Sequence, residues 1–392
     1  MTTKGTTALV RRMEGSTRAT LLELLFDVVF VAALALTSTL LAEEHSWSGG
    51  AKVLLMLTAI WWTWAITATT TEFYDPQQRP IQAILMIAMV GSVGMAVALP
   101  MITVGHMLLF VLSYVGTHVI RCVILVAALH RQRHQTARER ATRFLFWFSV
   151  SAVFWIIGAL HNGPNWGFWA IAVTIDLVGS AARYPTPWLG RVPIAQYRRI
   201  TGHLSERYQQ FIILALGDIL LLPTLQVSRG DLDAFRIIAL LCAFATMLLL
   251  WQIYAFQAGD LALATASNMV RPARLAPYTH LVMVAGVVAT AASFERIVDE
   301  PTGTTPTRLL LLIIGGPTLF VLGRVLFTFL VSDVVPWRRL TWLFLPLVIL
   351  PWAGGWSPVL VTATVAFGLA GHIAVPGGNR ETRPGVEAEQ PE

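Results

Sequence analysis

The chain has 392 residues, 55% of them hydrophobic and 13% charged, with a net charge of +6. Soluble domains carry about 25% charged residues, so water is not the main solvent here, and the positive balance reads as a topology signal that needs no nucleic-acid partner. Cys122 and Cys242, the two cysteines, both lie in apolar stretches, which excludes a disulfide framework or a cysteine-built zinc cluster.

The apolar runs set the fold class. No Asp, Glu, Lys or Arg occurs from Ile81 to Ile120 or from Leu340 to Asn379. Each run is too long for one span of roughly 20 residues. The alternating segments of about ten residues that mark a barrel are absent. The expectation is an all-α polytopic membrane bundle. In chain order, a polar tail over 1–19 precedes spans at 20–41, 51–71, 81–101, 106–129, 142–160 and 166–183. A basic linker covers 184–203. Six further spans follow at 204–223, 233–257, 274–293, 307–332, 339–354 and 356–373, and a disordered tail covers 374–392. The last two spans are short and rich in Pro and Gly, so one broken element is an alternative. The first span lacks a small-residue cleavage site and reads as retained.

Orientation follows from the basic residues. With the N-terminus inside, twenty of the 28 lysines and arginines fall in inner segments and five in outer loops, which places both termini in the cytoplasm. Trp47, Trp166, Trp188, Trp337 and Trp356 lie near span ends, as interfacial anchors do.

The two halves look related. Glu23 aligns with Glu206, Trp64 with Trp251, Arg79-Pro80 with Arg271-Pro272, Met86 with Met283, and Arg121 with Arg324. The offset rises steadily from 183 to 203, as loop insertions produce. Six spans per copy give parallel repeats, 20–183 and 204–373, about an axis along the membrane normal.

Charge inside an apolar span costs on the order of 2.5–3.5 kcal/mol per group, which makes such residues functional candidates. Glu23 and Asp27 share one face of the first span with Phe30, Leu34 and Thr37. Two carboxylates one turn apart suit a proton carrier or a general acid. Their counterparts are Glu206 and Gln210, so the copies are not equivalent. Tyr114, Thr117, His118 and Arg121 form a polar stripe on the fourth span. A deep arginine needs a carboxylate or carbonyls, so the expected pairs are Asp27 or Glu23 with Arg121, and Glu206 with Arg324. The first, fourth, seventh and tenth helices would then meet at a polar centre open to the cytoplasm. A purely structural role as a packing ion pair is equally open for Glu206 and Arg324. Asp218 either lines the outer half of a cavity or reaches the interface. Asp176 reads as a hydrogen-bond partner for a neighbouring helix. His280 is a relay candidate, and His203 pairs locally with Glu206 or Arg207.

His130 and His134 have metal-ligand spacing, but Arg131, Arg133 and Arg138 argue against a metal, and that loop suits anionic lipid. Gly91 and Gly94, and Gly354-Gly355, read as sites of close helix approach. Phosphate-loop, zinc-protease, nucleophile-elbow and paired aspartate-rich motifs are all missing. No metal and no cofactor is expected.

From Arg18-Ala19-Thr20-Leu21-Leu22-Glu23-Leu24-Leu25-Phe26-Asp27 to Val31 the chain resembles the bacterial low-temperature-requirement protein A (LtrA) family, which opens with Glu-Leu-Phe-Phe-Asp-Leu-Val-Phe. His203 to Asp218 is similar to the family's His-x2-Glu-Arg and Gly-Glu signature, and Tyr278-Thr279-His280 to its Tyr-x-His. Two departures stand out. Gly217-Asp218 replaces Gly-Glu, and Trp251 to Phe256 lacks the acid of Trp-x2-Tyr-Phe-Asp. The resemblance implies a multi-pass bacterial inner-membrane protein and little about mechanism.

Three functions fit these residues. The first is a proton-coupled secondary transporter using Glu23 and Asp27, with Glu206, Asp218 and His280 assisting. Trp64, His118, Arg121, Gln210, Tyr254 and Arg324 would line the cargo site. The second is an intramembrane enzyme with an Asp or Glu general acid acting on a lipid or isoprenoid-like substrate between aromatics such as Trp61, Trp62, Trp64 and Tyr254. The third is a non-catalytic membrane component. The expected surroundings are membrane lipids; the small ligand and the oligomeric state are not legible.

Overall fold

A computed structural model describes residues 9–11, 18–104, 107–160, 165–197, 202–230, 233–256, 270–332 and 348–374. Among them every regular element is helical, apart from isolated bridges between Val10 and Tyr74 and between Thr186 and Gly190. Nine helices are long and apolar enough to cross a membrane, and two shorter apolar helices accompany them. The chain is a polytopic helical membrane protein. Most of the expected 339–354 span, and the tail from 375, lie outside the described residues.

Helix α1 (Leu21–Glu43) starts where Thr20 and Glu23 cap each other: the Glu23 N–H donates to Thr20 Oγ1 and the Thr20 N–H to Glu23 Oε2. Helix α2 (Trp47–Phe73) is the most buried of the first half, with Trp61, Trp62 and Trp64 all 1% exposed or less. Helices α3 (Arg79–Ala98), α4 (Met107–Arg131), α5 (Gln135–Leu160) and α6 (Trp166–Ala181) follow, with a 3-10 turn over Leu99–Val104 after α3. One turn, α7 (Ile194–Tyr197), precedes the second half. The expected seventh span is one apolar run, Gly202–Arg229, made of α8 (Gly202–Leu216) and α9 (Asp218–Arg229) with a one-residue interruption at Gly217, whose backbone keeps right-handed helical angles. Helices α10 (Ala234–Phe256), α11 (Val270–Asp299), α12 (Thr307–Ser332) and α13 (Pro358–Ala374) complete the described chain.

Helices α1 and α8–α9 run side by side in the same direction. Glu23 is level with His203, Asp27 with Arg207, and Ser38 with Asp218. Five long helices, α1 to α5, leave the chain on the far face, so the segment before α8 must cross back. Helix α6 makes that crossing although it has only 16 residues, about 24 Å at 1.5 Å per residue. Side-chain contacts agree with an antiparallel α5–α6 pair: the Trp169 indole donates to the Trp155 carbonyl, and the Trp147 indole to that of Pro185, beyond the end of α6.

The halves share a packing scheme. Helix α1 lies on α2 and α3, and α3 on α4; in the same order α9 lies on α10 and α11, and α11 on α12. The α3–α4 and α11–α12 seams are both closed by glycine. A Cβ at Gly91 or Gly94 would run into the side chains of Thr117 and Ser113. On the other seam, a Cβ at Gly286 would sit 2.5 Å from the Phe320 nitrogen, and one at Gly316 2.7 Å from that of Thr290. Gly354 and Gly355 differ from expectation. Their nearest neighbours leave ordinary space, because they lie in a loop before α13 and not in a helix contact.

Part of the expected N-terminal tail is built into the fold. Leu9 is 1% exposed, its N–H donates to Gln132 Oε1, and residues 9–11 pair with 73–75 at the end of α2.

Candidate functional site

The seam between α1 and α8 carries the densest buried charge. Glu23, Asp27 and Arg207 are all 0% exposed. Arg207 Nη1 lies 3.1 Å from Glu23 Oε1, and Nη2 lies 2.5 Å from Asp27 Oδ1. Asp27 Oδ1 also accepts from the Trp64 indole at 2.8 Å. His203 stands one turn before Arg207, with Nε2 3.4 Å from Glu23 Oε1 and Nδ1 3.3 Å from Glu72 Oε2. Arg11 Nη1 donates to the Thr71 carbonyl beside Glu72.

The partner of the acidic pair is therefore Arg207, not Arg121. Spacing along α1 placed Glu23 and Asp27 at the right depth, but depth alone does not say which neighbour faces them. Helix α4, with Arg121, packs on α3 and α5, while α8 abuts α1. Glu72 is absent from the sequence reading altogether. Its one signal is a carboxylate ending the threonine-rich stretch Thr69-Thr70-Thr71, where an acid reads as an ordinary span boundary.

A neutral imidazole has a single N–H. His203 has a carboxylate before each ring nitrogen, so it can satisfy both only as an imidazolium, or with a proton on one carboxylate. Glu23, Glu72 and His203 thus offer a shared proton more than one place to sit. Trp64→Phe keeps an aromatic ring, smaller than the indole, and removes a donor to Asp27. It is expected to cost about 1–3 kcal/mol, read as a lower melting midpoint in detergent. An unchanged midpoint would mean that the indole does not hold Asp27.

The other candidates form separate groups. Glu206 is half-buried on α8 and accepts from Gln210 one turn on, at 3.1 Å. Asp218, 3% exposed at the start of α9, accepts from Ser38 of α1 at 2.7 Å, so it is an inter-helix contact at the far end of the same seam. Asp176 accepts from the Tyr114 hydroxyl at 2.7 Å, which is the helix-to-helix bond expected of it. His280 is 1% exposed; its Nδ1 meets the Ala276 carbonyl and its Nε2 lies 3.4 Å from the Tyr254 hydroxyl. Arg324 lies over the rings of Tyr254 and Phe327, 5.1 and 5.7 Å from their centres. His118 and Arg121 bond each other and face Thr63 and Thr67 of α2. In the alignment of the halves Arg324 answers to Arg121 and Tyr254 to Thr67, and both arginines touch those counterparts.

A family model described as bacterial low temperature requirement A protein (LtrA) matches residues 18–374. The chain belongs to the LtrA family. Its match covers the acidic pair of α1, the His203–Arg207 segment and the Tyr278–His280 segment together. A relative in Rhizobium meliloti (strain 1021), named only as an uncharacterized protein, is 29% identical over 330 residues, covering 82% of this chain and 80% of the relative. No solved structure matches. Family membership agrees with a multi-pass membrane protein and assigns no reaction or cargo.

Proposed function

We propose that this LtrA protein is a proton-coupled secondary transporter, in which the network of Glu23, Asp27, Glu72, His203 and Arg207 carries the proton. The two halves, 20–183 and 204–373, are parallel repeats that rock about the α1–α8 seam. The basic face, where the network lies, is cytoplasmic by the positive-inside rule. One observation carries the reading: His203 offers each ring nitrogen to a carboxylate at the junction of the halves. Moving its proton changes the charge that clasps α1 to α8, which ties protonation to the contact between the repeats. The glycine-closed seams hold each half together as a rigid body.

The pairing of Glu23 and Asp27 with Arg207 favours a second reading, in which the network is a static clasp in a non-catalytic membrane component. An intramembrane enzyme has less support, because the rings around Asp27 pack on one another, with Trp64 and Phe211 centred 4.3 Å apart and Trp61 and Trp64 4.9 Å apart.

Purified protein in vesicles loaded with a pH-sensitive dye tests the proposal. Amino acids, amines, sugars and carboxylates are supplied outside, one class at a time. At least one class is expected to drive a change in internal pH with the parent protein and none with Asp27→Asn. If no class moves protons with the parent, the clasp reading stands and the transporter does not.

A further inference from the structure

Arg121 is a buried cation that the α1–α8 network does not use. It is 1% exposed, and no carboxylate oxygen lies within 4 Å of it among the described residues. Its partners are neutral. Nη2 donates to His118 Nδ1 at 2.9 Å, Nη1 faces Thr67 Oγ1 at 3.5 Å, and the Cys122 thiol is in reach. The Phe148 ring centre lies 5.2 Å from Cζ, and Nε has no acceptor. Asp176 acts on Arg121 only from a distance, and its Oδ2 is taken by the Tyr114 hydroxyl. Because His118 Nδ1 accepts from Arg121, the imidazole proton sits on Nε2, 3.2 Å from Thr63 Oγ1, whose own hydrogen goes to the Ala59 carbonyl. His118 is thereby a positioning residue that aims the guanidinium.

Helix α2 stands between this arginine and the proton network. Trp64 points from one flank of α2 to Asp27, and Thr63 and Thr67 point from another to His118 and Arg121. A buried charge is retained at high cost unless it meets a counter-charge. The Nε–H of a guanidinium and one neighbouring Nη–H point the same way and match the two oxygens of a carboxylate. We infer that Arg121 anchors a binding site for a small carboxylate solute on the α2–α4 side of the first half. The inference that this solute is the cargo moved with the proton rests on the transporter reading; the binding site does not.

The probe is sodium succinate, with succinamide as the uncharged isostere and sodium chloride and sodium phosphate at matched ionic strength. The melting midpoint of purified protein in detergent is the readout. Succinate is expected to raise the midpoint saturably, succinamide not at all, and chloride and phosphate less. Arg121→Gln should weaken half-saturation by about tenfold or more, while Arg133→Gln, an exposed arginine in the α4–α5 loop, should leave it unchanged. If Arg121→Gln does not fold, Arg121→Lys serves: it keeps the charge, loses the fork, and is expected to lose the preference for succinate over chloride. A succinate response that survives in Arg121→Gln, a preference that survives in Arg121→Lys, or a parent protein that does not distinguish succinate from succinamide overturns the site. In dye-loaded vesicles, succinate binding with no proton movement for any solute class leaves the site standing and removes the transporter. Proton-coupled uptake of an amine or sugar without succinate binding does the reverse.

Discussion

Arg207→Gln is expected to be the most damaging single substitution in the chain. It leaves Glu23 and Glu72 against His203 and Asp27 against the Trp64 indole, with the guanidinium gone from the seam. Breaking a buried ion pair by removing one partner costs about 3–5 kcal/mol, because the other charge remains buried. The expected result is loss of the monodisperse peak in size-exclusion chromatography, or a melting midpoint far below the parent's. Adding Glu23→Gln and Asp27→Asn to the same chain removes the stranded charges and should restore much of the peak. A single variant that melts with the parent would show that the network does not hold α1 to α8. Because the rescue depends on charge and not on size, it separates the ionic clasp from ordinary packing.

The second large effect is expected at Gly286. A Cβ there would lie 2.5 Å from the Phe320 nitrogen and 2.7 Å from the Gly316 carbonyl oxygen, and backbone cannot swing aside as a flexible side chain does. Overpacking a tight contact costs typically about 1–3 kcal/mol, and more when backbone must move. Gly286→Leu has to separate α11 from α12 over a seam that also includes Gly316 and Gly323. The midpoint should fall well below that of Gly315→Leu, one residue from Gly316, where a Cβ meets nothing within 4 Å. Equal melting of the two variants would mean that the seam is looser than its geometry indicates.

The membrane class and most span positions were legible, because apolar length is a one-dimensional property that composition records directly. Helix α6 was placed from its apolar run alone, and the parallel course of α1 and α8 gives the physical reason why so short a helix must cross. The seventh span was legible as one apolar run, and the one-residue interruption at Gly217 left no mark in it, because a lone glycine is tolerated in a helix. Glu23 and Asp27 stood out because charge in an apolar span is rare. Their partner did not, because a sequence gives depth along a helix but not the neighbour that faces it. Arg207 and Glu206 both lie within a turn of His203, which invited a local pairing of His203 with one of them, whereas one position around the helix turns Arg207 toward α1 and leaves Glu206 half-buried beside Gln210. Glu72 escaped notice at a span end. The signature Thr20-x-x-Glu23 also marked a helix cap, so Glu23 has a structural duty at the start of α1 as well as its place beside His203 and Arg207.

Labelling of a single cysteine at Leu34 asks most directly whether the charge network governs the contact between the halves. Leu34 is 1% exposed on α1, between Asp27 and Ser38 on the stripe that follows α8 and α9. In a chain with Cys122→Ser and Cys242→Ser, Leu34→Cys should resist a membrane-impermeant maleimide added to either face while the network is intact. With Asp27→Asn added, the clasp weakens, and the cysteine should react when the reagent is added to one face. Labelling that stays absent from both faces in both chains would contradict a seam that opens when Asp27 loses its charge.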